Sequence, residues 1–381
     1  MDVSEKINIW DNIRSLNLPV YIYGMGDGAD KIFSIMALQG IEPTGVYASD
    51  EFVRGQSFHG FKVLKLREIE EKTPEFVTVL AFGSNRPEVI SHIKEVAKKY
   101  KLFAPDMAVT DFTSDRLFTY EYFLSRKSEF ESVYSLFADE PSRKLFTDII
   151  NYKISGKIEY LLSETVEFSD ILGELFLTDS EIYADCGAYT GDTISIFCDK
   201  VNNKYKYIYG FEPSGKTFAR LQKNTAGLEN ITLNNAAVWS ESGEITAFGG
   251  DNRNNNLFTT KNNNSMYNGD SSNKMYISSK NNNKYKYSGK TTLTETVRLD
   301  EISPDATVIK LDVEGAEKQA LAGAEKLIKS GVKLICAVYH RIDDLWEIPL
   351  IINKMNHRYR FKLRRLPCLP AWDIFLSAYM E

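Results

Sequence analysis

The chain is 381 residues long, 43% hydrophobic and 26% charged, with a formal net charge of -6 at pH 7. That length exceeds one ordinary core and suits two, and the apolar fraction can fill both without disulfides or metals, which excludes general disorder. The negative balance argues against a nucleic-acid partner, since affinity for phosphates draws on an excess of Lys and Arg.

The segment Met1-Asp2-Val3-Ser4-Glu5-Lys6 lacks a basic start followed by an apolar core. No apolar run approaches the roughly 18 residues of a membrane span, so no span and a cytoplasmic location are expected. Residues 18 to about 105 alternate strand and helix: Val20 to Tyr23, a helix from Ala29 to Gln39, Gly45 to Tyr47, Phe76 to Phe82 and a helix after Pro87. This pattern predicts a small Rossmann-like parallel-sheet domain over residues 1–110. Its turn, Gly24-Met25-Gly26-Asp27-Gly28-Ala29, follows a strand and opens a helix, with Asp50 near the tip of the next strand. Such a turn fits either a nucleotide-sugar site or the empty pocket of a scaffold. Over 111–175 the period changes to that of amphipathic helices, with Phe123, Phe130, Val133, Tyr134 and Phe137, then Leu145, Phe146, Ile149 and Ile150, and predicts a packed helical connector.

Strand and helix alternate again from Glu181 almost to the end, so residues 176–381 form the second α/β domain. Residues 251–290, crowded with Asn, Ser, Lys and Tyr, cannot fill a core. Short strand-like pieces, Leu257 to Thr260 and Met275 to Ser278, lie between clusters such as Asn281-Asn282-Asn283, and predict a flexible hairpin insertion that covers a substrate or decorates an edge. Cys186, Cys198, Cys336 and Cys368 lie far apart, which suits buried reduced thiols; no residue is assigned to a metal.

The most informative segment runs from Ile182 through Asp185-Cys186-Gly187-Ala188-Tyr189-Thr190-Gly191 into a helix over Thr193 to Asp199. A glycine turn after the first strand of a doubly wound sheet lets a ligand approach the backbone, beside the helix amides. The spacing Asp-x-Gly-x-x-x-Gly differs from the Gly-x-Gly-x-x-Gly of pyrophosphate-bearing dinucleotides. An acid at Asp185 suits a cation such as the sulfonium or amino group of S-adenosylmethionine. The second strand, Tyr207 to Phe211, ends in Glu212-Pro213, which places a carboxylate where ribose hydroxyls bind, and Ser214 can cap the next helix. After a third strand, Ile231 to Leu233, Asn235 can bond an adenine edge and Ala236 leaves room for the ring.

The fourth strand carries Lys310-Leu311-Asp312-Val313-Glu314-Gly315-Ala316-Glu317. If the strand stays extended, Asp312 and Glu314 face the same side; Glu317 suits the amino end of a helix, and Lys310 suits burial along its stem or a carboxylate partner. A fifth strand, Leu334 to Val338, ends in Tyr339-His340, and two more, Tyr359 to Leu366 and Ile374 to Tyr379, close the chain. In the sixth, Arg358, Arg360, Lys362 and Arg364 alternate with apolar residues, as on a strand with one solvated face. Seven strands match a class I methyltransferase sheet.

The ordered set Asp185-x-Gly187-x-x-x-Gly191, Phe211-Glu212-Pro213, Val297-Arg298-Leu299-Asp300-Glu301, Lys310 to Glu317 and Tyr339-His340 resembles the FkbM family of methyltransferases over residues 180 to 380. The resemblance implies S-adenosylmethionine as methyl donor and a hydroxyl acceptor on a saccharide or secondary metabolite. The cofactor residues expected are Asp185, Gly187, Ala188, Tyr189, Thr190, Gly191, Glu212, Pro213, Asn235, Ala236 and Asp312. A hydroxyl acceptor must lose its proton, and His340 is the expected base, with Asp312 and Glu314 as alternatives. The competing reading is a non-catalytic nucleotide-sugar-binding protein on the same fold, against which the intact Asp185, Gly187, Gly191 and Glu212 count.

Overall fold

A computed structural model describes residues 1–110, 112–243, 245–249, 256–259, 275–278, 284–287 and 291–380. These divide into two compact units: Met1–Val166 with Lys362–Ile374, and Glu167–Phe361 with Phe375–Glu381.

In the first unit, β1 (Val20–Tyr23), β2 (Gly45–Ala48), β3 (Ser57–Phe58), β4 (Phe61–Lys65), β5 (Val77–Leu80) and β6 (Lys101–Phe103) form a sheet in the order β3-β4-β2-β1-β5-β6. Every pairing except β3 with β4 is parallel. Central parallel strands are covered on both faces, so β1, β2 and β5 read as unbroken buried runs. Ile22, Val46 and Val79 pack with Ala29, Ile32, Ile35 and Met36 of the helix Asp27–Leu38, and with Ile9, Trp10 and Ile13 of the helix Ile9–Leu16. A Cβ on Gly28 would stand 2.1 Å from the Ala81 carbonyl oxygen, so a bare backbone is what admits the helix this close to the end of β5. Asp27 and Asp30 occupy the first turn of that helix, where their charge competes with any phosphate for its positive end. The helical stretch includes Tyr120–Ser125, Lys127–Leu136 and Glu140–Ser155, with Phe123, Phe130, Val133, Phe146, Ile149 and Ile150 buried. Arg364 Nη2 donates to Asp139 Oδ2 at 2.6 Å within the same unit.

The strands after β6 are β7 (Ile182–Cys186), β8 (Tyr207–Phe211), β9 (Ile231–Asn234), β10 (Ala236–Val238), β11 (Ile245–Gly249), β12 (Asn256–Thr259), β13 (Met275–Ser278), β14 (Lys284–Tyr287), β15 (Thr291–Val297), β16 (Val308–Leu311), β17 (Lys333–Ala337), β18 (Arg360–Arg365) and β19 (Ile374–Tyr379). Among the described residues the main sheet has the order β18-β19-β17-β16-β7-β8-β9. Its strands are the seven read from sequence. β16, β17, β8 and β9 extend the sheet in parallel from β7, and β19 runs antiparallel to β17. This is the α/β, class I methyltransferase arrangement. On β18 burial alternates as expected, with Phe361 and Leu363 inside.

Strand order reverses at β7: the chain goes first to β8 and β9 on one side, then to β16 and β17 on the other. Such a switch point opens a crevice at the carboxyl ends of β7 and β16. β11 pairs antiparallel with β12 and with β15, β15 also pairs with β10, and β13 and β14 of the insertion form a separate antiparallel pair. Thr260 and Asn281-Asn282-Asn283 lie outside the described residues. All four cysteines are free and buried. No helix among the described residues is long and apolar enough to cross a membrane.

Candidate active site at the switch point

β7 carries Asp185 to the crevice, and parallel register sets Lys310 of β16 directly beside it. Both side chains are almost wholly buried, with Lys310 Nζ 3.2 Å from Asp185 Oδ1. The ammonium also donates to the Gly187 carbonyl oxygen at 2.8 Å and stands 3.9 Å from Asp312 Oδ2. Thr193, in the first turn of the following helix, donates its hydroxyl proton to Asp185 Oδ2. Burial raises the Asp185 carboxyl above its usual range, and Lys310 and Thr193 oppose that shift. Burial pulls the Lys310 ammonium down, but Asp185 and Asp312 outweigh it and hold the proton above the ordinary range. The positive partner of Asp185 is therefore this lysine, and the carboxylate stands behind the turn.

The turn itself is fixed by close approach. Gly187 has φ +80, and a Cβ there would lie 1.9 Å from the Asp312 carbonyl oxygen. Its N–H and that of Ala188 both donate to the Phe211 carbonyl, at 3.0 and 2.9 Å. Tyr189 adopts a left-handed φ of 46, is 42% exposed, and donates its N–H to Glu212 Oε2 at 3.1 Å. The Thr190 carbonyl accepts from Asn224 Nδ2 at 2.8 Å, and Gly191 caps the helix Asp192–Lys200.

Glu212, at the end of β8, is buried, and the Ser214 N–H donates to its Oε1 at 2.8 Å. Burial pushes this carboxyl up to about 7, against the pull of the Ser214 and Tyr189 amides. Asn235 Nδ2 donates to the backbone carbonyls of Glu212 and Pro213, at 2.8 and 3.1 Å, so its amide braces the turn that holds the acid. Ala236 is buried at the start of β10. Asp185, the Gly187–Gly191 turn, Glu212, Pro213 and Asn235 thus form one bonded neighbourhood.

On the other side of the crevice β16 ends at Leu311, earlier than extended spacing requires. Glu314 takes φ 51 and Gly315 φ 89, so a turn, rather than the alternation of a strand, brings Asp312 and Glu314 together. His340 is 1% exposed; its Nε2 stands 3.6 Å from both Asp312 Oδ1 and Glu314 Oε2, and its Nδ1 2.9 Å from Glu317 Oε1. Burial disfavours the imidazolium, but Glu317 above all, then Glu314 and Asp312, push its pKa up to about 10. The expected base is thus enclosed and holds its proton at neutral pH. Removal from water raises Glu314 to about 7, with His340 opposing and Asp312 and Glu317 adding to the shift. Asp312 and Glu314 keep 25% and 39% of their side-chain surface. Glu317 heads the helix Glu317–Gly323 as its position suggests, but its link to His340 was not legible, because it joins a helix start and a loop with no shared period.

Close packing behind the turn has a measurable cost. Gly187→Ala should lose about 1–3 kcal/mol or more of stability, because the added methyl group has no room and the backbone is left-handed. Thermal unfolding checks this, and an unchanged melting temperature would contradict the packing described.

Comparison with known proteins places this geometry. The family model for the methyltransferase FkbM domain matches residues 185–363. Among solved structures, the methyltransferase FkbM from Methylobacillus flagellatus KT aligns over 97% of this chain and 92% of its own, with TM-score 0.68 and 17% identity. An rRNA methylase from Streptococcus thermophilus aligns over 57% of this chain and 98% of its own, with TM-score 0.34 and 13% identity. A precorrin-6y C5,15-methyltransferase from Geobacter metallireducens GS-15 covers 57% of this chain and 93% of its own, with TM-score 0.33 and 12% identity. No curated protein matches. Residues 185–363, with their glycine turn and two acid-bearing strand ends, are a domain of the FkbM family of S-adenosylmethionine-dependent methyltransferases.

Proposed function

We propose that the protein transfers the methyl group of S-adenosylmethionine to a hydroxyl of a saccharide or secondary metabolite. The observation that carries this reading is the pair of partly open carboxylates, Asp312 and Glu314, the first of them joined to the glycine turn through Lys310. Methyl transfer from a sulfonium is an in-line displacement, so holding the acceptor oxygen behind the methyl carbon supplies much of the rate. A rim rich in carboxylates favours the cationic donor. In this reading Glu212 accepts the ribose hydroxyls: each of its oxygens already takes one backbone amide and keeps lone-pair capacity for another donor. The turn from Gly187 through Gly191 receives the amino acid end, and Asn235 and Ala236 border the adenine. Lys310 and Asp185 act one layer behind, as the pair that shapes the turn.

The proton-accepting role passes from His340 to Glu314. A side chain 1% exposed has no route to an acceptor, whereas Glu314 reaches the surface of the crevice beside it. The hydroxyl class follows from the family's usual acceptors; an acceptor screen, saccharides first, read by release of S-adenosylhomocysteine, tests it. Turnover confined to nitrogen or carbon acceptors would sink the hydroxyl reading.

Glu212 must be ionised to accept the ribose hydroxyls, and in the free protein it protonates near pH 7. S-adenosylmethionine affinity should therefore hold steady above that pH and weaken below it, by up to about tenfold per unit. Glu212→Gln should flatten this dependence; calorimetric titrations across pH 5.5 to 8.5, roughly the span in which the change falls, would show the same slope in both proteins if the assignment is wrong. In separate assays Glu314→Gln should retain cofactor affinity and lose about 10²–10⁴-fold in turnover, the usual contribution of a general base. Full turnover in that variant would remove Glu314 from the chemistry.

A further inference from the structure

Three carboxylates crowd the ring of His340. Asp312, Glu314 and Glu317 all stand within 3.6 Å of its ring nitrogens. Of the neighbouring ammonium groups, Lys310 lies nearer Asp185 than Asp312, at 3.2 against 3.9 Å, and Lys318 nearer Glu347 than Asp344, at 2.5 against 4.0 Å. Glu317 is 1% exposed and held rigidly, with its Oε1 accepting from the Val313 and Gly315 N–H groups at 3.0 and 3.3 Å. Its second oxygen, Oε2, is buried without a hydrogen-bond partner, as is Oδ1 of the fully buried Asp344. Buried carboxylate oxygens in that condition are costly unless a cation or another donor meets them.

One atom from each of Asp312, Glu317 and His340 lies within 4.8 Å of the other two. Ligands bound at about 2.1 Å to one ion stand about 3–4 Å apart, a separation that a small turn of the partly open Asp312 side chain reaches. Two carboxylates and an imidazole, without a thiolate, suit a hard or borderline divalent ion. We propose that Asp312, Glu317 and His340 bind a divalent cation of the Mg²⁺ or Mn²⁺ class. Binding the metal displaces to solvent the proton that the carboxylates otherwise hold on the imidazole, and leaves no free lone pair on the coordinating nitrogen. The use of this ion rests on the hydroxyl-methylation reading: a Lewis acid beside Glu314 draws charge from the acceptor oxygen and eases loss of its proton.

The test uses the full chain and Mn²⁺ alone, with free Mn²⁺ read by electron paramagnetic resonance and S-adenosylmethionine affinity measured separately by calorimetry. Wild type should take up about one Mn²⁺ saturably, and both Glu317→Gln and Asp312→Asn should weaken that uptake at least roughly tenfold. Glu317→Gln should still bind S-adenosylmethionine, which shows that it is folded; if it does not fold, Asp312→Asn, at a partly open position, carries the test. No saturable uptake by wild type, or equal uptake in the variants, overturns the site. Mn²⁺ uptake lost in the variants of a protein that methylates no hydroxyl supports the site and removes only the hydroxyl reading.

Discussion

One buried ammonium ties the second unit's site together. Lys310 reaches from the centre of the sheet to the carboxylate that precedes the glycine turn, to a carbonyl within the turn and toward Asp312, just past the end of its own strand. Burying a lysine and an aspartate is costly unless each meets the other in good geometry, and the parallel register of β7 and β16 supplies that meeting. Because Lys310 grips the Gly187 carbonyl while the Asp312 carbonyl presses on Gly187 from the other side, the turn has little freedom. The glycine turn and the carboxylate rim are consequently parts of one bonded unit, as preorganised chemistry demands.

Much of the fold was legible because burial leaves a period. The seven strands of the main sheet from β7 to β19 are apolar runs bounded by turns, and Ser214 marks a helix start by the chemistry of capping. Elements without a strong period escaped notice: Ser57–Phe58 is only two residues long, Phe61–Lys65 is half polar, and Lys101–Phe103 follows a helix directly. The grouping of Lys362–Ile374 with the first unit was also invisible, since Arg364 and Asp139 are far apart in sequence and neither carries a local sign of the other.

For the site, residue types were legible and their partners were not. A lysine inside an apolar strand announces a buried partner, but naming Asp185 required the register of two strands more than a hundred residues apart. The reading of Asp312 and Glu314 as neighbours reached the right pair by the wrong geometry, because Gly315 lets the chain turn where an extended strand was expected. His340 illustrates the limit most clearly. Its place after a strand suggested a base, whereas three carboxylates of the single stretch 312–317, distant from it in sequence, enclose its ring.

The central claim is that the Lys310–Asp185 pair shapes the turn that receives the cofactor. A double-mutant cycle with Lys310→Met and Asp185→Leu, read by denaturant unfolding, tests it most directly. Each single change should cost about 3–5 kcal/mol, because it strands a buried charge, and the double should cost well below their sum. Strictly additive losses, or single variants as stable as wild type, would contradict the account.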